Sequence, residues 1–457
     1  MQSDRSLVSG LILVVALVGC GDDRSAEAGS DNETAETGDH DGDGDGDPTG
    51  DGDPTGDGDG DPTGDGDGDP TGDGDEIKFD MANLPDADDE SCQGMGGDDV
   101  EFSYIWVANS AQGTLSKINT QTMIEEGRYI TRPDHAGRPS RTSVNLSGDV
   151  AVANRDGGVS KFLARTDACP EQNGMAEIQT STGKADVLTW ALEECRAWHT
   201  PFDGPSLANR PVAWTAGTFN QATCEWDNQK LWTQTALLGT PGSMQIHRLD
   251  GETGEIEDTI PAPNVDIGAW GAYGGAVDFD DNFWFSTHGS SNPPTLSRVS
   301  YDDLTLETWP VPAGVAPYGM TFDSKGYAWV AGYAGGVARF TPETETWDVV
   351  NVTGRGMQAD SEGRVWVGSY GGMGTGVLAI DSETLEVLDF IAMPDAGVTK
   401  GVSIDFYGYV WIVNMAASAY RVDPETHQYQ SYDGLDGAYT YSDMTGAGLK
   451  SVAFPQG

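Results

Sequence analysis

The sequence is short of positive charge. It carries 24 Lys and Arg against 74 Asp and Glu, a formal net charge of -50 at pH 7. Such a field repels nucleic acid and anionic lipid, so neither DNA nor RNA is expected as a partner. Long apolar runs are missing too: the apolar stretch at residues 7–18 is too short to cross a bilayer as a helix. No segment shows a strong apolar stripe at i, i+3, i+4 and i+7, which argues against a helical fold. The six His residues have no paired metal spacing and no Gly-x-Ser-x-Gly elbow is present. A pair of catalytic carboxylates from distant loops stays open. Cysteines are few as well, at positions 20, 92, 169, 195 and 224.

What is present begins with the N-terminus. A short polar start with Arg5, the apolar stretch, and then Leu17-Val18-Gly19-Cys20 read as an export signal over residues 1–19. Those last four residues resemble a bacterial lipobox. The resemblance implies cleavage before Cys20, a diacylglycerol on its sulfur and, with Gly21 rather than Asp next, a place in the outer membrane. Residues 20–100 hold the run "GDHDGDGDGDPTGDGDPTGDGDGDPTG" and its continuation, whose carboxylates repel and which has nothing apolar to bury. This stretch is expected to be a disordered tether with a coil span of roughly 50 Å. Its Asp-Gly alternation lacks the twelfth-position Glu and flanking helices of an EF-hand, leaving room only for weak condensation of Ca²⁺ or Mg²⁺. No cofactor is expected. With Cys20 lipidated, Cys92, Cys169, Cys195 and Cys224 form an even set in an exported chain, at spacings of 77, 26 and 29 residues that fit no zinc pattern. Two disulfides are expected, with three pairings open.

From residue 101 onward the pattern changes to "KGYAWVAGYAGGVARF", starting at Lys325: strand, Gly-rich turn, strand. Six relatives surround it, with Trp106, Ala151, Trp232, Trp284, Trp366 and Trp411 at the position of Trp329. Most copies follow a short run ending in an Asp turn, such as "GMTFDSKG", and precede another, such as "ETETWDVVN". Four short strands at a period near 40 to 45 residues predict an all-β, seven-bladed propeller of four-stranded antiparallel blades over residues 101–457. The recurring Trp is expected in the core between blades. Residues 444–452 are expected to complete the first blade and latch the ring. Lys117, Lys161, Arg248, Arg298, Arg339 and Arg421 recur near the end of the third strand, where pairing with Asp280, Asp323, Asp360 or Asp405 is expected.

In a propeller, the inter-blade loops and the hairpins between second and third strands open on one face. That rule gathers Arg138, Arg141, Arg210, Trp270, Tyr273, Tyr318, Arg355, Lys400 and Asp443 from the former, and Asn109, Asn154, Arg155, His288, Tyr333, Tyr370 and Asn414 from the latter. Cations and aromatics so collected, within a domain of net charge -22, suit an anionic or aromatic ligand. The four later cysteines fall on the opposite face.

The blade pattern, an apolar-Asp-x-x-Gly turn before the Trp strand and an Arg in the third, resembles streptogramin B (virginiamycin B) lyases and, more loosely, NHL and SMP-30-type propellers, over about residues 102–457. The resemblance implies ester opening by elimination, with a magnesium ion and a His base at the mouth. The lyases' Trp-aromatic-Thr-Glu is replaced here: Asn109, Asn154, Thr235, Thr287, Gly332, Ser369 and Asn414 stand where the Glu would. No metal ligand and no catalytic residue is carried over, although His288 and His135 would lie toward the mouth. The reading is therefore a monomeric, lipid-anchored propeller, displayed at the cell envelope and binding a small molecule or protein. The alternatives are an extracytoplasmic lyase or hydrolase, or a structural envelope protein.

Overall fold

The computed structural model describes residues 103–223 and 225–453. The signal segment, the tether, Cys20, Cys92 and Cys224 lie outside the described residues. The described chain forms seven antiparallel blades arranged as a propeller, at residues 104–130, 139–200, 207–261, 272–310, 317–350, 357–392 and 399–432, with a separate two-stranded sheet of Thr218–Asn220 and Glu225–Asp227 inside the span of the third. In the fifth blade Pro317–Phe322, Ala328–Gly332, Val337–Thr341 and Thr346–Val350 pair in that order, from the channel outward. The third blade departs from this pattern. Its innermost strand is broken into Leu207–Ala208 and Val212–Trp214, both paired with Lys230–Leu237.

Second strands such as Ala328–Gly332 are buried along their whole length, while outer strands such as Thr346–Val350 are largely open. A strand covered on both faces needs a continuous apolar run rather than alternation, and "AWVAG" supplies one. What covers it is the next blade. Trp329 packs on Met357, Val365 and Val367 of the sixth blade, and Trp366 on Ile404, Val410 and Ile412 of the seventh. Trp411 lies with Ile105 and Val107 of the first blade, closing the ring.

In the fourth to seventh blades the turn Asp before this strand is the partner of its Trp. Asp278, Asp323, Asp360 and Asp405 accept the indole N–H of Trp284, Trp329, Trp366 and Trp411 at 2.7, 2.7, 2.7 and 2.8 Å. Their second oxygens accept turn amides, as Asp323 does from Lys325 and Tyr327. In the fourth blade the residue concerned is Asp278, six before the Trp, and not the expected Asp280. With these carboxylates engaged, the third-strand cations turn elsewhere. Arg339 pairs with Asp348 on its neighbouring outer strand at 2.7 Å and donates to the Ser382 carbonyl of the next blade at 2.6 Å. Arg248 does the same with Asp258 and Tyr301, and Arg421 reaches Thr120 across the ring closure. Lys161 pairs with Asp149 of its own blade at 3.3 Å, not with a turn Asp of a neighbour. In the first, second, third, fifth and seventh blades the repeated cation therefore ties its blade to the following one, while Arg298 of the fourth pairs with Glu307 of its own blade.

The latch lies earlier than expected. Residues 438–444 run antiparallel to Tyr104–Asn109 along the channel: Tyr439 donates to the Ala108 carbonyl at 3.0 Å and Trp106 to that of Met444 at 2.9 Å. Beyond them Ala447–Ala453 forms a helix, not a strand, against the lower ends of inner strands. Asp443 accepts the amides of Gly446 and Leu449 at 2.9 and 3.0 Å and so caps this helix. A disulfide joins Cys169 and Cys195, stapling the long excursion between the third and fourth strands of the second blade. That excursion covers the outer edge of the first blade, where Arg128 donates to Ser181 and Lys184 to Glu125.

Candidate functional site at the channel mouth

The channel mouth is built by one register position. Five residues before the turn Asp, or its Thr215 counterpart, stand Arg210, Tyr273, Tyr318, Arg355 and Lys400. At Tyr273, Tyr318 and Lys400 the inner strand bulges, which breaks the pairing with the second strand and turns these side chains into the channel. A glycine follows Tyr273, Tyr318, Arg355 and Lys400 because the inner strands of neighbouring blades approach closely there. A Cβ on Gly319 would lie 2.6 Å from the Arg355 carbonyl oxygen.

Tyr273, Tyr318 and Lys400 meet two tyrosines of the C-terminal strand. Tyr439 Oη lies 2.6 Å from Tyr273 Oη and 2.8 Å from Tyr318 Oη, and Lys400 Nζ donates to Tyr318 Oη at 2.8 Å. Tyr273, Tyr318, Tyr439 and Tyr441 form one buried cluster with Trp270 against it. Arg141 is wholly buried beneath, its guanidinium carbon 3.0 Å from the Tyr441 ring centroid and 4.8 Å from that of Tyr273. Arg210 lies 5.0 and 5.1 Å from the Trp270 and Tyr273 rings, and Arg155 4.9 Å from Tyr439.

The electrostatics are one-sided. Arg141 donates to the carbonyls of Tyr273 and Ser140, Arg210 to that of Trp270, and Arg155 to the Ser110 hydroxyl. No carboxylate is among these acceptors. Arg141 Nη2, Arg155 Nε, Arg210 Nε and Tyr441 Oη are buried without a hydrogen-bond partner among the described residues. Burial pushes Arg141 down to about 9, so it stays charged at neutral pH. His288 is pushed down to about 4, first by burial and then by Arg210, Arg141 and Lys400, and is neutral at pH 7. Its Nδ1 accepts the Ser290 amide, which leaves the proton on Nε2.

Of the other residues expected here, Tyr333 lies exposed on the rim and stacks on His288 at 5.4 Å. Tyr370 is exposed beside Arg355, whose guanidinium lies 5.5 Å from its ring. Arg138 faces outward and pairs with Asp156 at 2.6 Å. The three asparagines are engaged by their own hairpins and by inter-blade loops: Asn109 with Ser116 and Asp436, Asn154 with Thr131 and Gly158, Asn414 with Ala396 and Ser418. Asp443 belongs to the other end of the channel, and His135 sits in an exposed turn. Sequence reasoning missed Tyr439 and Tyr441. Their signal was available in "AYTYSD", an alternation that directs both rings to one face of a strand.

Magnesium, which the lyase resemblance implied, does not fit these residues. No group of three His, Cys, Asp or Glu occurs among the described residues, and a mouth lined by Arg and Lys repels a divalent cation.

Fold and mouth together define a seven-bladed propeller with a cationic, tyrosine-filled channel entrance. No protein-family model matches the chain, and no curated protein does. Among solved structures it is similar to selenomethionine-substituted virginiamycin B lyase from Staphylococcus aureus, at 16% identity over 65% of this chain and 84% of that one, with a TM-score of 0.46. A streptogramin B lyase structure aligns at 15% identity over 66% and 86%, TM-score 0.45. A functionally unknown protein from Desulfotomaculum acetoxidans aligns at 14% identity over 75% and 100%, TM-score 0.48. The likeness is one of fold.

Proposed function

We propose that the channel mouth binds an organic anion, and that the protein is a binding propeller carried on a lipid anchor at Cys20 and a long acidic tether at the cell envelope. The anchor and tether rest on the sequence of residues 1–100. One observation carries the binding reading: buried donors on Arg141, Arg155, Arg210 and Tyr441 converge on the tyrosine cluster with no acceptor to receive them. A buried donor left unsatisfied costs about 1–3 kcal/mol, more when charged, and a carboxylate or phosphate oxygen removes that cost. Lys400 adds charge beside them, and the tyrosine faces favour an organic body over a bare ion.

The test is calorimetric titration of the whole chain with galacturonate and with inorganic phosphate, repeated on Lys400→Met and Arg210→Met. Loss of one charge-assisted hydrogen bond of about 1.5–3 kcal/mol weakens binding by roughly ten- to a hundredfold. Unchanged affinity in both variants, or binding of neutral ligands alone, would sink the reading.

A further inference from the structure

The hairpin residue four past each core Trp position sits on the rim of the mouth. Around the ring it is Ser110, Arg155, Ala236, His288, Tyr333, Tyr370 and Met415. The first two are polar and hydrogen-bonded to each other at 2.6 Å. Blades four to seven instead present a ring or a thioether, and Tyr333, Tyr370 and Met415 are 37%, 43% and 36% exposed. Other exposed large apolar residues, such as Ile256, Val349 and Leu388, lie on outer strands, so three at one register position on the hairpins of adjacent blades mark a contact surface on the rim.

Charge follows the same path. His288 and Tyr333 stack above the buried cations, and one blade further on Arg355 lies 5.5 Å from the Tyr370 ring. The pairing of a cation with an aromatic face is thus repeated outward from the centre. A single small anion uses the central set only. A ligand that repeats a flat-faced ring bearing a carboxylate uses both.

We infer that the mouth takes an acidic oligosaccharide, a uronic acid chain of at least two residues, with one carboxylate on the buried donors and the next ring on Tyr370 and Arg355. This rests on the anion-binding reading above. Pyranose C–H faces lie flat on tyrosine rings, whereas an acidic peptide brings backbone amides for which the Gly-rich hairpins present no side-chain partner.

The experiment measures affinity of the whole chain for galacturonate, for tri- and hexagalacturonate, for the methyl-esterified trimer and for hexaglutamate. Trimer is expected to bind about tenfold more tightly than monomer, the gain of one aromatic-cation contact, and the ester to lose that affinity. Tyr370→Ala and Arg355→Gln, both on the rim, are expected to abolish the length dependence while leaving monomer affinity as it was. Equal affinity for monomer and trimer, a length dependence untouched by both variants, or tighter binding of hexaglutamate than of the sugars would overturn the inference and leave anion binding standing. If no anion binds at all, the anion-binding reading itself fails and this one with it.

Discussion

Truncation after Gly437 removes the strand that closes the ring. Residues lost include Ala438, Tyr439, Tyr441, Met444, Leu449 and Val452, all buried. Burying a large apolar side chain contributes about 1.5–3 kcal/mol, so the five larger ones sum to roughly 8–15 kcal/mol. Three backbone hydrogen bonds go with them, to Ala108 from Tyr439, to Met444 from Trp106 and to Ala416 from Ala438. A domain's whole stability is about 5–15 kcal/mol, so the truncated chain is expected to lose its cooperative fold. The loss should expose the inner edge of Tyr104–Asn109 and the cleft between first and seventh blades. Thermal unfolding followed by tryptophan fluorescence is the assay, with size-exclusion chromatography to detect association through the bare edge. Adding a synthetic peptide of residues 438–453 should restore a cooperative transition. A truncated protein that melts as a monomer within a few degrees of the whole chain would refute the closure argument.

Burial raises Asp405 to about 6, in spite of the indole and two turn amides it accepts. Its contribution to stability is therefore fullest below the unfolded value near 4 and is lost as pH rises through 6, about 3 kcal/mol in all. Urea denaturation at pH 4.5 and 7.5 should show that difference shrink in Asp405→Asn, and an unaltered slope would contradict it. Breaking the Cys169–Cys195 bridge with two serines frees a loop of 26 residues and is expected to cost up to about 3.5 kcal/mol, read as a lower denaturant midpoint. Gly319→Ala places a Cβ against the Arg355 carbonyl and is expected to weaken galacturonate binding and lower the melting temperature together, because the inner strands must part. An alanine variant with wild-type affinity would show that the close approach is not what positions Tyr318.

Much of the propeller could be read from the chain because each blade solves the same local problem. Trp329 and its equivalents, the Asp turn before them and the Gly hairpin after them are each a few residues apart, so the repeat records the sheet and its turns directly. The expected mouth residues Tyr273, Tyr318 and Lys400 come together because one register position, five before the turn Asp, places each at the same height on its blade, and Arg141 and His288 join them from other positions. Partners across blades were not legible in that way. Arg339 selects Asp348 and the Ser382 carbonyl, not a turn Asp, because the Trp indoles already hold those carboxylates.

The number of blades, the Trp core and the ring of residues on the rim follow from short-range spacing along the chain. Tertiary structure alone decided that residues 438–444 close the circle, that Tyr439 and Tyr441 fill the channel, and that Asp443 caps a helix at its far end. Those outcomes depend on which distant strands lie side by side and on which donors are left without acceptors when they do. Such facts belong to the closed ring and to no single stretch of chain.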